Sequence, residues 1–386
     1  MCTTTSPTYS PDTVLRIRKH VPPEPFFYDY GPSPRPPVDW NRWRDVDTSE
    51  TDQVVEFALA NPPLRTAPPD EPETERVLTI TGIKTRRGSR DRGGAHVVTC
   101  FLDGDRSVEY VAKIYDGVDY PMGSRNRHSL DGMTWADREY AIEATAYRAM
   151  QPTIGGTVVP AYYGSWTFAL DTHRPGQQRW VRMILIELVQ GECMLDIITR
   201  AEVKSQGRVT VDYSLLPPDD FRIRVLRNIL ESDLAIWWEA ALEQNDLDPR
   251  NVMIKPDGSV ALIDFNQANI WEFTIRWDMH PKQLDPGCLP TTPIQRYWPL
   301  SCGFADSEGE NAPWADWIPQ RWIEDKNLAA EWLIQTYRDS PKFAPPDQWW
   351  LDWDQHGNPS PKVWGLLESL GRKSAPEAPS SEKRAW

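Results

Sequence analysis

Proline is the residue that most restricts what this chain can fold into. Of the 36 prolines in the 386 residues, fourteen lie in residues 1–72. Proline fixes its own φ angle and has no N–H to donate, so it interrupts helices and central strands. Residues 1–72 are therefore predicted to form a Pro-rich N-terminal extension. One short helix is expected in it, beginning after Ser49 and ending before Pro62.

Residues 73–190 are predicted to form a small antiparallel sheet with one long helix. Short runs rich in β-branched residues begin at Arg76, and turns containing Gly and Asp separate them. A helical pattern, DREYAIEATAYRAM, comes next, and an apolar strand pattern, VRMILIELV, closes this part. This order of elements predicts an α+β fold.

Residues 191–370 are predicted to be mainly helical. Apolar residues recur at helical spacing from Phe221 to Trp237, and two short strands joined by a Pro-Asp-Gly turn follow. The remainder of this part is rich in Trp and Pro. Residues 371–386 are polar and are predicted to be a disordered tail.

Composition excludes some classes of partner. The formal net charge of −14 argues against a surface for nucleic acid or an anionic membrane. The five cysteines are widely spaced with no C-x-x-C pair, so neither a disulfide framework nor a zinc site is predicted. Because the sequence has no apolar signal region and no apolar run long enough to span a bilayer, a cytoplasmic location is expected, with a nuclear one as the alternative.

Three polar residues in the second half of the chain stand at suggestive intervals. Asn251 follows Asp246 by five residues, and Asp264 follows Asn251 by thirteen. Such residues are common in turns, so this spacing alone is weak evidence. Together with Lys113 in a Val-Ala-Lys strand pattern, and with the order of the elements, the residues resemble the protein-kinase-like superfamily. Fungal kinase-like proteins and aminoglycoside-type phosphotransferases belong to it, and the resemblance covers about Arg76–Asn269.

The resemblance implies a bilobal fold with a strand-rich N-lobe, a mainly helical C-lobe and an ATP- and Mg²⁺-dependent transfer of phosphate. In this family the position of Asp246 holds the acceptor hydroxyl and accepts its proton. Asn251 and Asp264 match the metal ligands, since carboxylate and amide oxygens suit Mg²⁺. Lys113 matches the lysine that pairs with the α- and β-phosphates.

Two further roles follow from the same resemblance. A carboxylate on the long helix is expected to hold Lys113, and Glu143 is the preferred candidate. Glu139, one helical turn earlier, remains the alternative. Backbone groups of the strand end at Glu187 and Val189 are expected to contact the adenine.

Several positions depart from the family pattern. Gln244 replaces the His that braces the metal motif, and Asn245 replaces the Arg that reads a phosphorylated activation loop. Asp248 stands where many protein kinases carry a Lys that neutralises the transferring phosphate, so its charge is wrong for that role. Asn266 replaces the Gly of the Asp-Phe-Gly motif.

Two landmarks of the family are missing from the positions where the family has them. The Gly-rich loop, expected between Gly82 and Gly94, has no G-x-G-x-x-G pattern, although it contains several arginines. No Ala-Pro-Glu segment follows Asp264 at the place where it closes the activation loop of protein kinases, since the Ala-Pro-Glu at residues 375–377 lies in the predicted tail. A protein substrate bound in the usual groove is therefore not expected.

Three functions remain open at this point. The first is a phosphotransferase that acts on a small-molecule or protein hydroxyl, and the second is a pseudokinase or scaffold that binds nucleotide without turnover. The third is an unrelated α+β protein that binds a partner through Trp- or Pro-rich surfaces. The tryptophans in question, which are more typical of a core, are Trp237, Trp238, Trp349 and Trp350.

Overall fold

The computed structural model describes most of the chain, in ten stretches. These are residues 9–39, 42–43, 51–66, 75–84, 94–120, 131–205, 208–285, 287–297, 316–345 and 361–369. The chain divides into two compact units that are discontinuous in sequence. The first unit comprises Met1–Gly191, Ala235–Leu247 and Ala261–His280, and the second comprises Glu192–Leu234, Asp248–Val260 and Pro281–Trp386.

The described residues form both strands and helices up to residue 270 and only helices after it. The strands are β1 (Val14–Lys19), β2 (Arg76–Ile83), β3 (His96–Leu102), β4 (Asp105–Tyr115), β5 (Tyr162–Asp171), β6 (Gln178–Glu187), β7 (Glu192–Cys193), β8 (Glu202–Ser205), β9 (Arg208–Val211), β10 (Leu242–Glu243), β11 (Val252–Ile254), β12 (Val260–Leu262) and β13 (Asn269–Ile270). The helices are α1 (Thr51–Ala60), α2 (Gly132–Met150), α3 (Met194–Arg200), α4 (Asp219–Ala240), α5 (Pro281–Leu284), α6 (Pro293–Tyr297), α7 (Gln320–Glu324), α8 (Lys326–Tyr337) and α9 (Pro361–Ser369).

Six strands of the first unit form a closed antiparallel barrel in the order β1-β2-β3-β4-β6-β5. The interior is apolar because alternate residues of each strand point inward. Leu15 and Ile17 of β1 meet Ala112 and Ile114 of β4 and Met183 of β6 in this core, and all five side chains are buried. The predicted α+β class and the antiparallel pairing are thus confirmed.

Strand β1 closes the barrel, and sequence analysis missed it. It pairs with β2 through Val14 and Thr79, and with β5 through Arg18 and Thr167. The prediction for this part of the chain contained a helix and extended segments. The helix is confirmed as α1, but β1 is only six residues long and alternates apolar residues with arginines. So short a pattern is weak evidence for a strand in the sequence. The strand forms because β2 and β5 both have an open edge with which β1 can pair.

Helix α2 begins at the N-cap residue Asp131, whose carboxylate accepts a hydrogen bond of 2.9 Å from the Thr134 N–H. Residues of the N-terminal segment contact α2 at Asp137. Arg35 forms a buried ion pair with Asp137, and the Leu64 N–H donates to the same carboxylate at 2.9 Å. The Pro-rich segment therefore fixes the helix by polar contacts.

The second unit has its own buried polar contacts. The Arg222 guanidinium of α4 donates to the carbonyl oxygens of Trp317 and Ile318, at 2.6 and 3.1 Å. The Trp317 indole N–H donates in return to the Arg222 carbonyl at 3.1 Å. Further along α4, Asp233 accepts from the Tyr297 hydroxyl and pairs with Arg296. In the described parts of the chain, no helix combines the length and the apolar character needed to cross a bilayer.

His20 links the N-terminal segment to α2 and makes the first unit sensitive to acid. Its Nδ1 lies 2.6 Å from the Tyr140 hydroxyl and its Nε2 lies 3.1 Å from the Thr66 hydroxyl. Burial, with a smaller contribution from the nearby Arg182 guanidinium, lowers the pKa of His20 from 6.5 to about 3. The folded protein thus keeps this imidazole neutral, whereas the unfolded chain protonates it below pH 6.5.

We predict that His20→Gln reduces the acid sensitivity of stability. Between pH 6.5 and 3 the unfolded state binds one proton more than the folded state, so this residue removes about 1.4 kcal/mol of unfolding free energy per pH unit as the pH falls. Urea unfolding at several pH values measures the slope for each variant. Gln190→Asn, a substitution at an exposed residue that removes no titratable group, is the control and is expected to keep the wild-type slope. Equal slopes for wild type and His20→Gln would contradict the prediction.

Candidate functional site

The ammonium group of Lys113 is the centre of the candidate site, and three carboxylate oxygens surround it. It donates to both oxygens of Glu143 at 2.6 Å each, and to Oδ1 of Asp264 at 2.8 Å. The three residues belong to the first unit. Lys113 and Glu143 are buried, whereas the Asp264 side chain is 32% exposed. Two carboxylates share one ammonium, so the cluster has an excess negative charge.

Local structure explains how the three side chains meet. Lys113 lies on β4, and Glu143 lies on α2, which packs against this strand. Asp264 follows the end of β12 and has a φ angle of +65°. Asp is one of the few residues besides Gly that adopt this left-handed conformation at modest cost. Such backbone conformations are concentrated at functional sites.

Of the two carboxylates proposed to hold Lys113, the structure pairs Glu143 with it. The Glu139 carboxylate instead accepts a hydrogen bond of 2.8 Å from the Tyr120 hydroxyl. This resolves the alternative left open by the sequence, since the two glutamates differ by one helical turn and either could face the sheet.

Glu143 has two further partners that sequence analysis missed. The Tyr115 hydroxyl donates to Oε2 at 2.6 Å, and the Phe265 N–H donates to Oε1 at 3.2 Å. Tyr115 follows Lys113 by two residues on β4, so the period of a strand places both on one face. That spacing was a usable signal. The Phe265 ring packs edge-on against Tyr147 of α2, with centroids 5.3 Å apart.

Electrostatics favours the charged form of Lys113. Burial lowers the pKa of the ammonium, but the Asp264 and Glu143 carboxylates together outweigh burial and raise the pKa above its ordinary value. Burial and the neighbouring Glu143 also raise the pKa of the Tyr115 hydroxyl. Tyr115 thus stays a hydrogen-bond donor at neutral pH, and Lys113 stays a cation.

Asp246, the predicted base, lies in the loop that follows β10. The loop is connected to the Asp264 segment by Gln244, whose amide donates to the Ile263 carbonyl at 2.7 Å. The next residue, Asn245, donates to the Gln267 carbonyl at 3.3 Å. Asp246 itself is half-buried. The Gln244 amide thus attaches the Asp246 loop to the segment that contains Asp264.

Asn251, the other predicted metal ligand, belongs to the second unit. Its side chain is buried and its N–H donates to the Asp248 carbonyl at 2.8 Å. The Asp248 carboxylate accepts from the Arg250 N–H at 3.0 Å and pairs with the Arg250 guanidinium at 2.9 Å. Asp248 therefore stabilises the turn in which Asn251 lies.

Glu187 and Val189 were predicted to lie beside the adenine. The Glu187 N–H donates to the Ala161 carbonyl at 2.9 Å, and the Glu187 carboxylate accepts from the Ala161 N–H at 3.0 Å. The Glu187 N–H is therefore already used inside the protein. Val189, which follows the end of β6, is buried.

The structure describes only some of the other residues that the sequence analysis singled out. Most of the arginine-containing loop between Gly82 and Gly94 lies outside the described residues, as do Trp349 and Trp350. Trp237 and Trp238 are buried beside His280, with ring centroids 4.9 and 5.9 Å away from it. The interpretation of these two tryptophans as core residues is confirmed.

Asp264 is a suitable residue for Mg²⁺ bound together with phosphate. Within the ranges that the structure describes, no three His, Cys, Asp or Glu side chains cluster so as to hold a metal ion. Mg²⁺, however, is commonly held by one or two carboxylates, with waters and substrate phosphates as the other ligands. A partly exposed carboxylate beside a lysine fits that mode of binding.

Comparison with known proteins adds no family assignment. A scan of the sequence against protein-family models finds no match, and a search of curated proteins finds no relative.

The pairing of Lys113 with Glu143 predicts strong energetic coupling. Lys113→Met leaves a fully buried carboxylate without its cation, which costs about 3–5 kcal/mol of unfolding free energy. Glu143→Met in the same chain removes that uncompensated charge, so the double variant is expected to be more stable than the sum of the single changes by at least ~1.5 kcal/mol. Urea unfolding of the four proteins measures this coupling.

The control is the exposed ion pair between Arg76 and Asp103, whose atoms are 2.7 Å apart. Its double-mutant cycle is expected to give less than ~1 kcal/mol, because solvent screens exposed charges. A Lys113–Glu143 coupling no larger than that of the control would show that the buried pair does not stabilise the site.

Proposed function

We propose that this protein is an ATP- and Mg²⁺-dependent phosphotransferase with a protein-kinase-like fold. The observation that carries the proposal is the cluster of Lys113, Glu143 and Asp264, in which a buried strand lysine meets a helix carboxylate and a partly exposed carboxylate. The family uses the same three types of residue on the same types of element. The order of the elements along the sequence supports the same assignment.

The two partners of Lys113 suit different roles. All three N–H bonds of its ammonium are directed at carboxylate oxygens, so a phosphate can bind only if one oxygen leaves. Glu143 is completely buried and has two other donors, whereas Asp264 is partly exposed. Asp264 is therefore the carboxylate that leaves the Lys113 ammonium when a phosphate binds. Lys113 then binds the phosphates while Glu143 keeps it in place.

Magnesium would supply positive charge that offsets the charge on the phosphate oxygens during transfer. Asp264, released from Lys113, is the residue of the first unit that would hold it, and Asn251 is the second ligand implied by the family pattern. Asp246 would hold the acceptor hydroxyl and accept its proton. Main-chain groups at Val189 are the better candidates for the adenine, since the Glu187 N–H is already bound to Ala161.

The acceptor is a hydroxyl of a small molecule or a protein. The absence of an Ala-Pro-Glu segment between Asp264 and the predicted C-terminal tail favours an acceptor other than a peptide in the usual kinase groove. Asn245 in place of the phosphate-reading Arg favours activity that does not depend on phosphorylation of a loop.

A second candidate function is nucleotide binding without turnover. Asp248 favours it, because this carboxylate stands where many protein kinases place a cation for the transferring phosphate. Asp248 is paired with Arg250, which offsets its charge but also keeps the guanidinium beside it. Nucleotide binding is common to both candidates, and turnover separates them.

Binding of ATP with Mg²⁺ is expected to raise the thermal unfolding midpoint. A ligand bound only by the folded protein adds RT ln(1 + [L]/Kd), or about 2.7 kcal/mol at a hundredfold excess over Kd. Asp264→Asn should abolish the part of the shift that depends on Mg²⁺. Asp257→Asn, at an exposed aspartate in the turn between β11 and β12, should retain the full shift. Absence of a shift at millimolar ATP would contradict both candidate functions.

Asp246→Asn tests turnover. In a phosphotransferase this change removes the proton acceptor and lowers ADP formation by at least about a hundredfold, while ATP binding persists. ADP release is measured with ATP, Mg²⁺ and a set of hydroxyl acceptors, with Asp257→Asn as the control. Binding of ATP by the wild type with no ADP release above the Asp246→Asn background would favour the binding-only candidate.

A further inference from the structure

A second polar pocket lies in the first unit, and its lining does not include Lys113, Glu143 or Asp264. It has a volume of about 450 Å³. Residues 28–30 of the N-terminal segment form one wall, and the second turn of α2, with Trp135, Arg138 and Glu139, forms another. The volume lies within the range of roughly 300–1,000 Å³ that is usual for small-molecule sites.

Arg138 is a buried cation in this pocket without a hydrogen-bonded or ion-paired partner among the described residues. The residue is only 6% exposed, and its guanidinium stacks on the rings of Tyr28 and Trp135, at 4.6 and 5.2 Å from their centroids. It makes no hydrogen bond or ion pair with any residue that the structure describes, and its buried Nε has no acceptor. Contacts with aromatic rings offset only part of the cost of burying a guanidinium, which ordinarily has a carboxylate or phosphate as its partner.

The two acidic residues of the pocket already have other partners. The Asp29 carboxylate lies 3.4 Å from the Arg276 guanidinium. The Glu139 carboxylate accepts the Tyr120 hydroxyl at 2.8 Å, and burial raises its pKa above the ordinary value. Neither carboxylate bonds directly to the Arg138 guanidinium, although Glu139 acts on it electrostatically. The chemical group that would complete the pocket is an anion.

The walls restrict what kind of anion fits. A guanidinium binds a planar carboxylate through two parallel hydrogen bonds and keeps its faces available for aromatic rings. Tyr28 and Trp135 offer flat apolar surfaces beside that position. Asp29 and Glu139 line the same pocket, so a second negative charge on the ligand would be repelled.

We propose that this pocket binds a small organic monoanion, a carboxylate on a flat, apolar body, with the carboxylate on Arg138 and the body against Tyr28 and Trp135. The site does not depend on the proposed phosphotransferase activity. Its ligand would contact the N-terminal segment and α2 together, and α2 is also the helix that carries Glu143. Occupancy would therefore stabilise the attachment of the Pro-rich segment to this helix.

Three matched probes test the proposal by isothermal titration calorimetry on the full chain at pH 7. They are 1-naphthoate, its neutral amide and 1-naphthyl phosphate. We expect 1-naphthoate to bind, and both the amide and the phosphate to bind at least tenfold more weakly. No binding of 1-naphthoate, equal binding of the amide, or tighter binding of the phosphate would each overturn the assignment of a monoanion site.

Variants then locate the site. Arg138→Met should weaken 1-naphthoate binding at least tenfold. Arg106→Met is the matched control, because Arg106 also stacks on an aromatic ring, 5.1 Å from the Phe101 centroid, but is exposed and lies outside the pocket. Unchanged affinity in folded Arg138→Met would overturn the proposal.

A further variant covers the case in which Arg138→Met does not fold. Tyr28 is 77% exposed, so Tyr28→Ala should cost less stability than Arg138→Met and leave the protein folded while it removes one wall of the pocket. We expect this variant to weaken 1-naphthoate binding at least threefold. Wild-type affinity in Tyr28→Ala would place the probe elsewhere and overturn the proposal. The site and the phosphotransferase can fail separately, since ATP binding is measured without these probes.

Discussion

The buried ammonium of Lys113 is the constraint on which the candidate site depends. A cation removed from water requires anionic partners close by, and here a helix and a turn must both supply them. Glu143 brings α2 to the barrel, and Asp264 brings the chain that follows β12 to the same point. Tyr115 and the Phe265 N–H then occupy the remaining capacity of the Glu143 carboxylate. The arrangement leaves one partner, Asp264, partly exposed and able to change its contacts.

The N-terminal segment has a larger structural role than its many prolines suggest. Strand β1 closes the barrel, while Arg35 and His20 contact successive turns of α2. In the same segment, the Tyr30 hydroxyl donates to the Ala268 carbonyl at 2.6 Å and accepts from the Ile270 N–H at 2.8 Å. One segment therefore supports both the helix that carries Glu143 and the chain after Asp264.

Helix α2 carries two charged groups whose surroundings differ in kind. Glu143 is a buried anion with a complete set of donors, and Arg138 is a buried cation with aromatic contacts alone among the described residues. The surroundings of Glu143 are typical of a residue that positions another side chain in an active site. The surroundings of Arg138 are typical of a residue that binds a ligand. The proposed phosphotransferase and the proposed carboxylate pocket are thus separate interpretations of one helix, and each depends on its own contacts.

The sequence by itself determined the α+β class, the course of the long helices α2 and α4, and the hairpin of β11 and β12, because apolar periodicity and turn residues are local signals. It also singled out Lys113, Glu143 and Asp264. Tertiary structure decided what depends on partners distant in sequence. It closed the sheet with β1, paired Glu143 rather than Glu139 with Lys113, and placed Arg138 where no carboxylate of the described residues forms an ion pair with it. Pairing of a sheet edge and burial of a charge are properties of the assembled chain, so no local pattern encodes them.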